Sequence, residues 1–148
     1  MAENDCMYCT IGEPGTDVAD FGIFLKELPS SNLILFREQS HPGRVIVAAK
    51  QHVDDISDLS EDEALAYLAD VRRVAKALRK EFKPDKLNFG AYGDKMHHLH
   101  FHLVPKYADD DYEFGDVFAM NPHRTELAAE EYDALGRRVL AAVEAVEA

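Results

Sequence analysis

The run His98-Leu99-His100-Phe101-His102-Leu103 alternates imidazole and apolar side chains without a break. Successive side chains of an extended strand point to opposite faces. The three histidines therefore line one face, and Leu99, Phe101 and Leu103 line the other, which can be buried. At a rise of about 3.3 Å per residue, neighbouring imidazoles stand about 6.6 Å apart. Solvent faces of strands ordinarily carry Thr, Lys and Glu. A row of histidines, which titrate near neutrality, points instead to metal, phosphate or proton chemistry. Val104-Pro105 should end the strand, because proline gives no donor to a sheet ladder.

The rest of the chain supplies partners for this strand. Residues 21–28 and 32–37 are apolar-rich and flank Pro29-Ser30-Ser31, the pattern of a hairpin. Pro42-Gly43 makes the next turn and residues 44–49 a third strand. Ser60 with Glu63 forms a capping box that opens a helix running to about residue 82. Its apolar positions Leu65, Leu68, Val71, Ala75, Leu78 and Phe82 recur at steps of three and four. Pro84 stops that helix, residues 86–92 form a fourth strand, and residues 98–104 the fifth. Asp109-Asp110-Asp111 reads as a solvated loop. A last helix spans about 126–147, with Tyr132, Leu135, Val139, Val143 and Val146 on one face. Strands joined by turns, with two helices, predict an α+β domain on a mainly antiparallel five-stranded sheet.

No repeat or low-complexity linker divides the 148 residues, so one domain is expected. Sixteen bases against 28 acids give a formal charge of −12. That field disfavours a nucleic-acid polymer or an anionic membrane as partner, so any phosphate must be gripped by local donors. The acidic start and the lack of an 18-residue apolar run predict a cytoplasmic protein. The only two cysteines, Cys6 and Cys9, form a CxxC pair. In a reducing compartment that spacing speaks for metal or redox use rather than a structural disulfide.

The segment from His98 to Val104 reads His-φ-His-φ-His-φ-φ, with φ apolar, and resembles the signature of the histidine triad (HIT) superfamily at every position. Cys6-Met7-Tyr8-Cys9, Ile11-Gly12-Glu13, the strand leading into Lys50-Gln51-His52, and Leu103-Val104-Pro105-Lys106 are also similar to that family. The likeness spans about residues 5–107. It implies an α+β HIT-like fold, a homodimer, and a nucleotide or nucleotide-like small molecule as substrate. By the same resemblance, His100 is the nucleophile that attacks an α-phosphorus and forms a nucleotidyl-histidine. Its other ring nitrogen would donate to a backbone carbonyl. His102 would donate to the phosphate or the leaving group, as an imidazolium offsetting charge in the transition state. Asn88 and Lys95 are candidate phosphate ligands. The zinc-bearing subgroup implies a structural Zn2+ held by Cys6, Cys9, His52 and His98, a closed Cys2His2 set. The alternative for the CxxC pair is a thioredoxin-like couple, but Thr10-Ile11-Gly12-Glu13-Pro14-Gly15 reads as a turn rather than a helix start.

Two positions depart from the family pattern. Where relatives carry Gly-His, this chain has Gly43-Arg44; arginine cannot serve as a base, though its planar fork can grip a phosphate or a carboxylate. The position of the family's ribose-binding aspartate falls at Phe36, with Arg37 and Glu38 beside it. Phosphorus chemistry is retained, while nucleoside identity is left open. The readings that follow are a HIT hydrolase or transferase and, alternatively, a zinc-stabilised nucleotide-binding or regulatory protein with weak catalysis. A metalloenzyme using the triad as catalytic ligands would need an acid that Val104-Pro105-Lys106-Tyr107 lacks, or Asp at the place of His102. His97 points away from His98 and His100, and His41 and His123 lie in turns with no role assigned.

Overall fold

A computed structural model describes residues 3–109, 114, 115, 117 and 124–146; His123, Glu147 and most of the stretch after Asp109 lie outside the described residues. Its strands are β1 (Asp17–Val18), β2 (Gly22–Glu27), β3 (Ser31–Phe36), β4 (Val45–Ala49), β5 (Lys86–Gly90) and β6 (His100–Lys106), with helices α1 (Glu61–Phe82) and α2 (Ala129–Glu144). All neighbouring strands pair antiparallel, in the order β1-β2-β3-β4-β6-β5. The sheet thus has six strands where five were expected. The extra one, β1, is two residues long, too short to leave an alternation in the sequence.

Local signals set the element ends. Ser60 accepts from the Glu63 N–H while the Glu63 carboxylate accepts from the Ser60 N–H, the reciprocal cap expected at the start of α1. At the other end Lys83 turns left-handed (φ 47°) ahead of Pro84. Gly43 adopts φ 93°, a region that favours glycine, and this turn delivers Arg44 to the start of β4.

The sheet is packed on both faces. On one, Leu33, Leu35, Val45, Val47, Leu99 and Leu103 meet Tyr67, Val71, Val74 and Leu78 of α1 and Tyr132, Val139 and Val143 of α2. On the other, Phe24, Ile34, Phe36, Ile46 and Ala48 are covered by Cys6 and Tyr8. β4 is buried along its whole length, as a central strand with two covered faces must be. Two expectations are corrected. Leu65 and Leu68 are 60% and 40% exposed; Tyr67 and Val74 fill the helix face in their place. β6 also runs through Pro105 to Lys106. Pairing with β4 ends at Leu103, so beyond it only β5 flanks the strand, and one side of the backbone makes no ladder bond for proline to break. Among the described residues, no helix is long and apolar enough to cross a membrane.

Candidate active site and metal centre

The alternation of the histidine strand is realised as two faces. Leu99 and Leu103 enter the helix-side core, with Phe101 packed against it. His100 and His102 stand opposite Ala48 and Ile46 of β4, on the face that Cys6 and Tyr8 cover. His98 precedes β6, but Leu99 carries the strand path back to it. The Leu99 carbonyl accepts from the Ala49 N–H at 2.9 Å, and its own N–H donates to Val53 O at 2.8 Å.

Three side chains from distant parts of the chain converge beside His98. Donor atoms of Cys6, Cys9, His52 and His98 all lie within 4.8 Å of one another. Nδ1 of His98 is 3.3 Å from Cys6 Sγ, 3.5 Å from Cys9 Sγ and 3.3 Å from His52 Nδ1; Cys9 Sγ is 3.2 Å from His52 Nδ1. Metal–ligand bonds of about 2.0–2.3 Å in a tetrahedron give ligand–ligand edges of about 3.3–3.8 Å, and these separations match that spacing. The ring of His98 is oriented for the task, because its Nε2–H donates to the Ala49 carbonyl at 2.7 Å and so turns Nδ1 toward the thiols. The turn after Cys6 brings the second thiol round, with the Cys9 and Thr10 N–H groups both donating to the Cys6 carbonyl. No helix follows the pair, since the next element is β1. The set fits a closed metal site better than a thioredoxin-like couple, whose reactive thiol opens a helix.

One residue along the face, His100 is 6% exposed. Its Nδ1 lies 2.6 Å from the His98 carbonyl, an acceptor, so Nδ1 carries the hydrogen and Nε2 keeps its lone pair. Burial lowers its pKa, favouring the neutral ring that a nucleophile requires. His102 is more strongly perturbed. Burial first, then the Arg44 guanidinium and His100, push it down to about 3. At neutral pH its resting form is therefore the neutral ring, whereas the imidazolium that the family resemblance implies belongs to the transition state. The positive charge stands on Arg44, whose Nη2 is 3.1 Å from His102 Nδ1.

Arg44 is 3% exposed, and burial pulls it down to about 10 against the supporting charge of Glu38. It thus joins the site that the sequence placed it near. Asn88 lies on the same sheet face, opposite Val104 in the β5–β6 register, and lines a hollow of about 240 Å3 with Lys86 and Lys106. Lys95 is exposed, on the loop between β5 and β6. A second hollow, of about 290 Å3, reaches His100 between Tyr92, Gly93, Asp54 and Asp55.

Two walls of the site carry no signal in the sequence. Tyr8 packs its ring 5.3 Å from His98 and 4.9 Å from His100. Phe36 sets its ring edge to His102 at 5.4 Å and lies under the Arg44 guanidinium at 4.2 Å. At the position expected to contact a ribose there is therefore an aromatic ring engaged with the histidine strand.

A model of the HIT domain matches residues 24–109, more than half of the sequence, and the chain belongs to the HIT family. It is similar to Protein hit of Bacillus subtilis, with 28% identity over 124 residues that cover 79% of this chain and 80% of that protein. It is also similar to adenosine 5'-monophosphoramidase hnt1 of Schizosaccharomyces pombe, with 26% identity over 141 residues, 90% and 95% of the two chains. Among solved structures, a Zn-bound histidine triad family protein from Mycobacterium smegmatis shares the fold with a TM-score of 0.69, at 24% identity, covering 97% of this chain and 96% of that one.

Proposed function

We propose that this protein is a HIT-type hydrolase or nucleotidyl transferase that cleaves a phosphoanhydride, phosphoester or phosphoramidate bond at the α-phosphorus of a nucleotide-like substrate. The observation that carries the reading is the His100 ring. Its Nδ1 hydrogen is committed to the His98 carbonyl, so a bare Nε2 on a neutral ring remains to attack phosphorus. His100 and His102 are the catalytic pair. Asn88 contributes an amide donor toward the phosphate, Arg44 a fixed positive charge, and Lys95 an exposed ammonium at the rim. Membership of a family that includes a named phosphoramidase supports this class of chemistry.

Cys6, Cys9, His52 and His98 would hold one zinc ion, which, when bound, cross-links the N-terminal segment to the triad strand and leaves no open position for substrate. The same reading has the protein work as a single-domain cytoplasmic homodimer on a small molecule. The charge of −12 opposes nucleic-acid polymers and anionic membranes as partners. A substrate panel of dinucleoside polyphosphates, nucleotide sugars and nucleoside phosphoramidates, run on wild type and His100→Ala, tests the assignment. Turnover of at least one class, lost in the variant, is the expected result. Binding without turnover in either protein would leave a nucleotide-binding module instead.

A further inference from the structure

Arg44 and His102 meet through Nη2 and Nδ1 at 3.1 Å. A guanidinium offers five N–H donors and no acceptor. Nδ1 of His102 must therefore accept in this contact, which leaves the ring hydrogen on Nε2. His100 shows the opposite arrangement, with its hydrogen on Nδ1 and Nε2 bare. Arg44 is itself held in place, 3% exposed and stacked 4.2 Å over Phe36, whose ring also meets His102 edge-on at 5.4 Å. One aromatic side chain thus packs both members of the pair.

We propose that Arg44 is a positioning residue that locks His102 as a neutral Nε2–H donor, so that the site stabilises a leaving group departing as an anion but gives it no proton. This rests on the reading of His100 as nucleophile. In the step it describes, a bond forms between His100 Nε2 and phosphorus as the bond from phosphorus to the leaving oxygen breaks. The leaving oxygen keeps the electron pair, and the charge that develops on the His100 ring is shared with the His98 carbonyl through Nδ1–H. Water then attacks phosphorus, restores His100 and passes its proton to solvent. The Nε2–H of His102 donates a hydrogen bond to the departing oxygen. It cannot surrender that proton without forming an imidazolate, and an imidazolium cannot form with a guanidinium donor seated on Nδ1. The substrate class follows. Phosphoanhydrides, whose leaving group is already a stable phosphate anion, suit the site; phosphoramidates of basic amines, which need a proton to leave, do not.

Nitrogen-detected NMR of the full chain, labelled in its histidine rings, reads the tautomer in the absence of any substrate. Wild type should show an unprotonated Nδ1 and a protonated Nε2 at His102. Arg44→Lys, which keeps a cationic donor, should keep that pattern, and Arg44→Met should lose it. On substrates, kcat/KM should be at least about a hundredfold higher for a phosphoanhydride than for the amine phosphoramidate of the same nucleotide, the scale of one general-acid contribution. Arg44→Met should lower kcat about tenfold or more with KM within about threefold, and Arg44→Lys should restore most of it. A protonated Nδ1 in wild type, or equal kcat/KM for the anhydride and the amidate, overturns the proposal. Absence of turnover with every substrate would instead count against the nucleophile reading, while the ring spectra still decide the role of Arg44.

Discussion

His102 has a folded pKa near 3, while an unfolded imidazole takes its proton near 6.5. Between those values the unfolded chain binds more protons, so stability is fully present above about pH 6.5 and is lost as pH falls toward 3. One such group accounts for up to about 1.4 kcal/mol per pH unit inside that window. His102→Asn should therefore flatten the fall in denaturation midpoint between pH 6.5 and 4.5, measured at fixed ionic strength. An unchanged slope would show that His102 titrates normally. His100→Ala is expected to abolish turnover while the chain still folds. With only 6% of the residue exposed and the Tyr8 ring packed against it at a tilt, the truncation should cost about 1–3 kcal/mol rather than nothing, which circular dichroism melts can read. At this scale the row of three histidines on one strand face was legible in the sequence, because alternation on one strand is a local signal. It showed nothing of Tyr8 or the engagement of Phe36, since those contacts join segments tens of residues apart.

At the scale of elements, the site is assembled from segments far apart in the chain. The metal-type cluster sets Cys6 and Cys9 beside His98, just before β6, and His52, just after β4. Zinc should copurify at about one ion per chain, as four ligands imply. Cys6→Ser, or removal of the metal by a chelator, should lower the melting temperature clearly while changing kcat little at saturating substrate; metal-free protein of unchanged stability would contradict the site. Helix α1 tests a simpler point. Ser60→Ala removes one half of a reciprocal cap and should cost about 1 kcal/mol in a urea titration. That cap was legible in four residues of sequence. The buried face of α1 was not, because a helix carrying Leu65, Tyr67, Leu68, Val71, Val74 and Leu78 has apolar residues around more than one side. Only the partner sheet decides which side turns inward, and it takes Tyr67, Val71, Val74 and Leu78.

For the whole molecule, the same exposed Leu65 and Leu68, with Phe89 of the edge strand β5 at 51% exposure, leave apolar surface beyond what this sheet covers. A homodimer is the expected state, and light scattering should return twice the 16.6 kDa chain mass at micromolar concentration; a concentration-independent monomer would contradict it. The central claim is the covalent intermediate on the middle histidine, and trapping tests it most directly. Wild-type protein quenched in base within one turnover of an α-phosphorus-labelled nucleotide anhydride should carry the label on the peptide containing His100. His100→Ala should carry none and turn over nothing. Full turnover in His100→Ala, or wild-type turnover with no labelled peptide, would contradict the account.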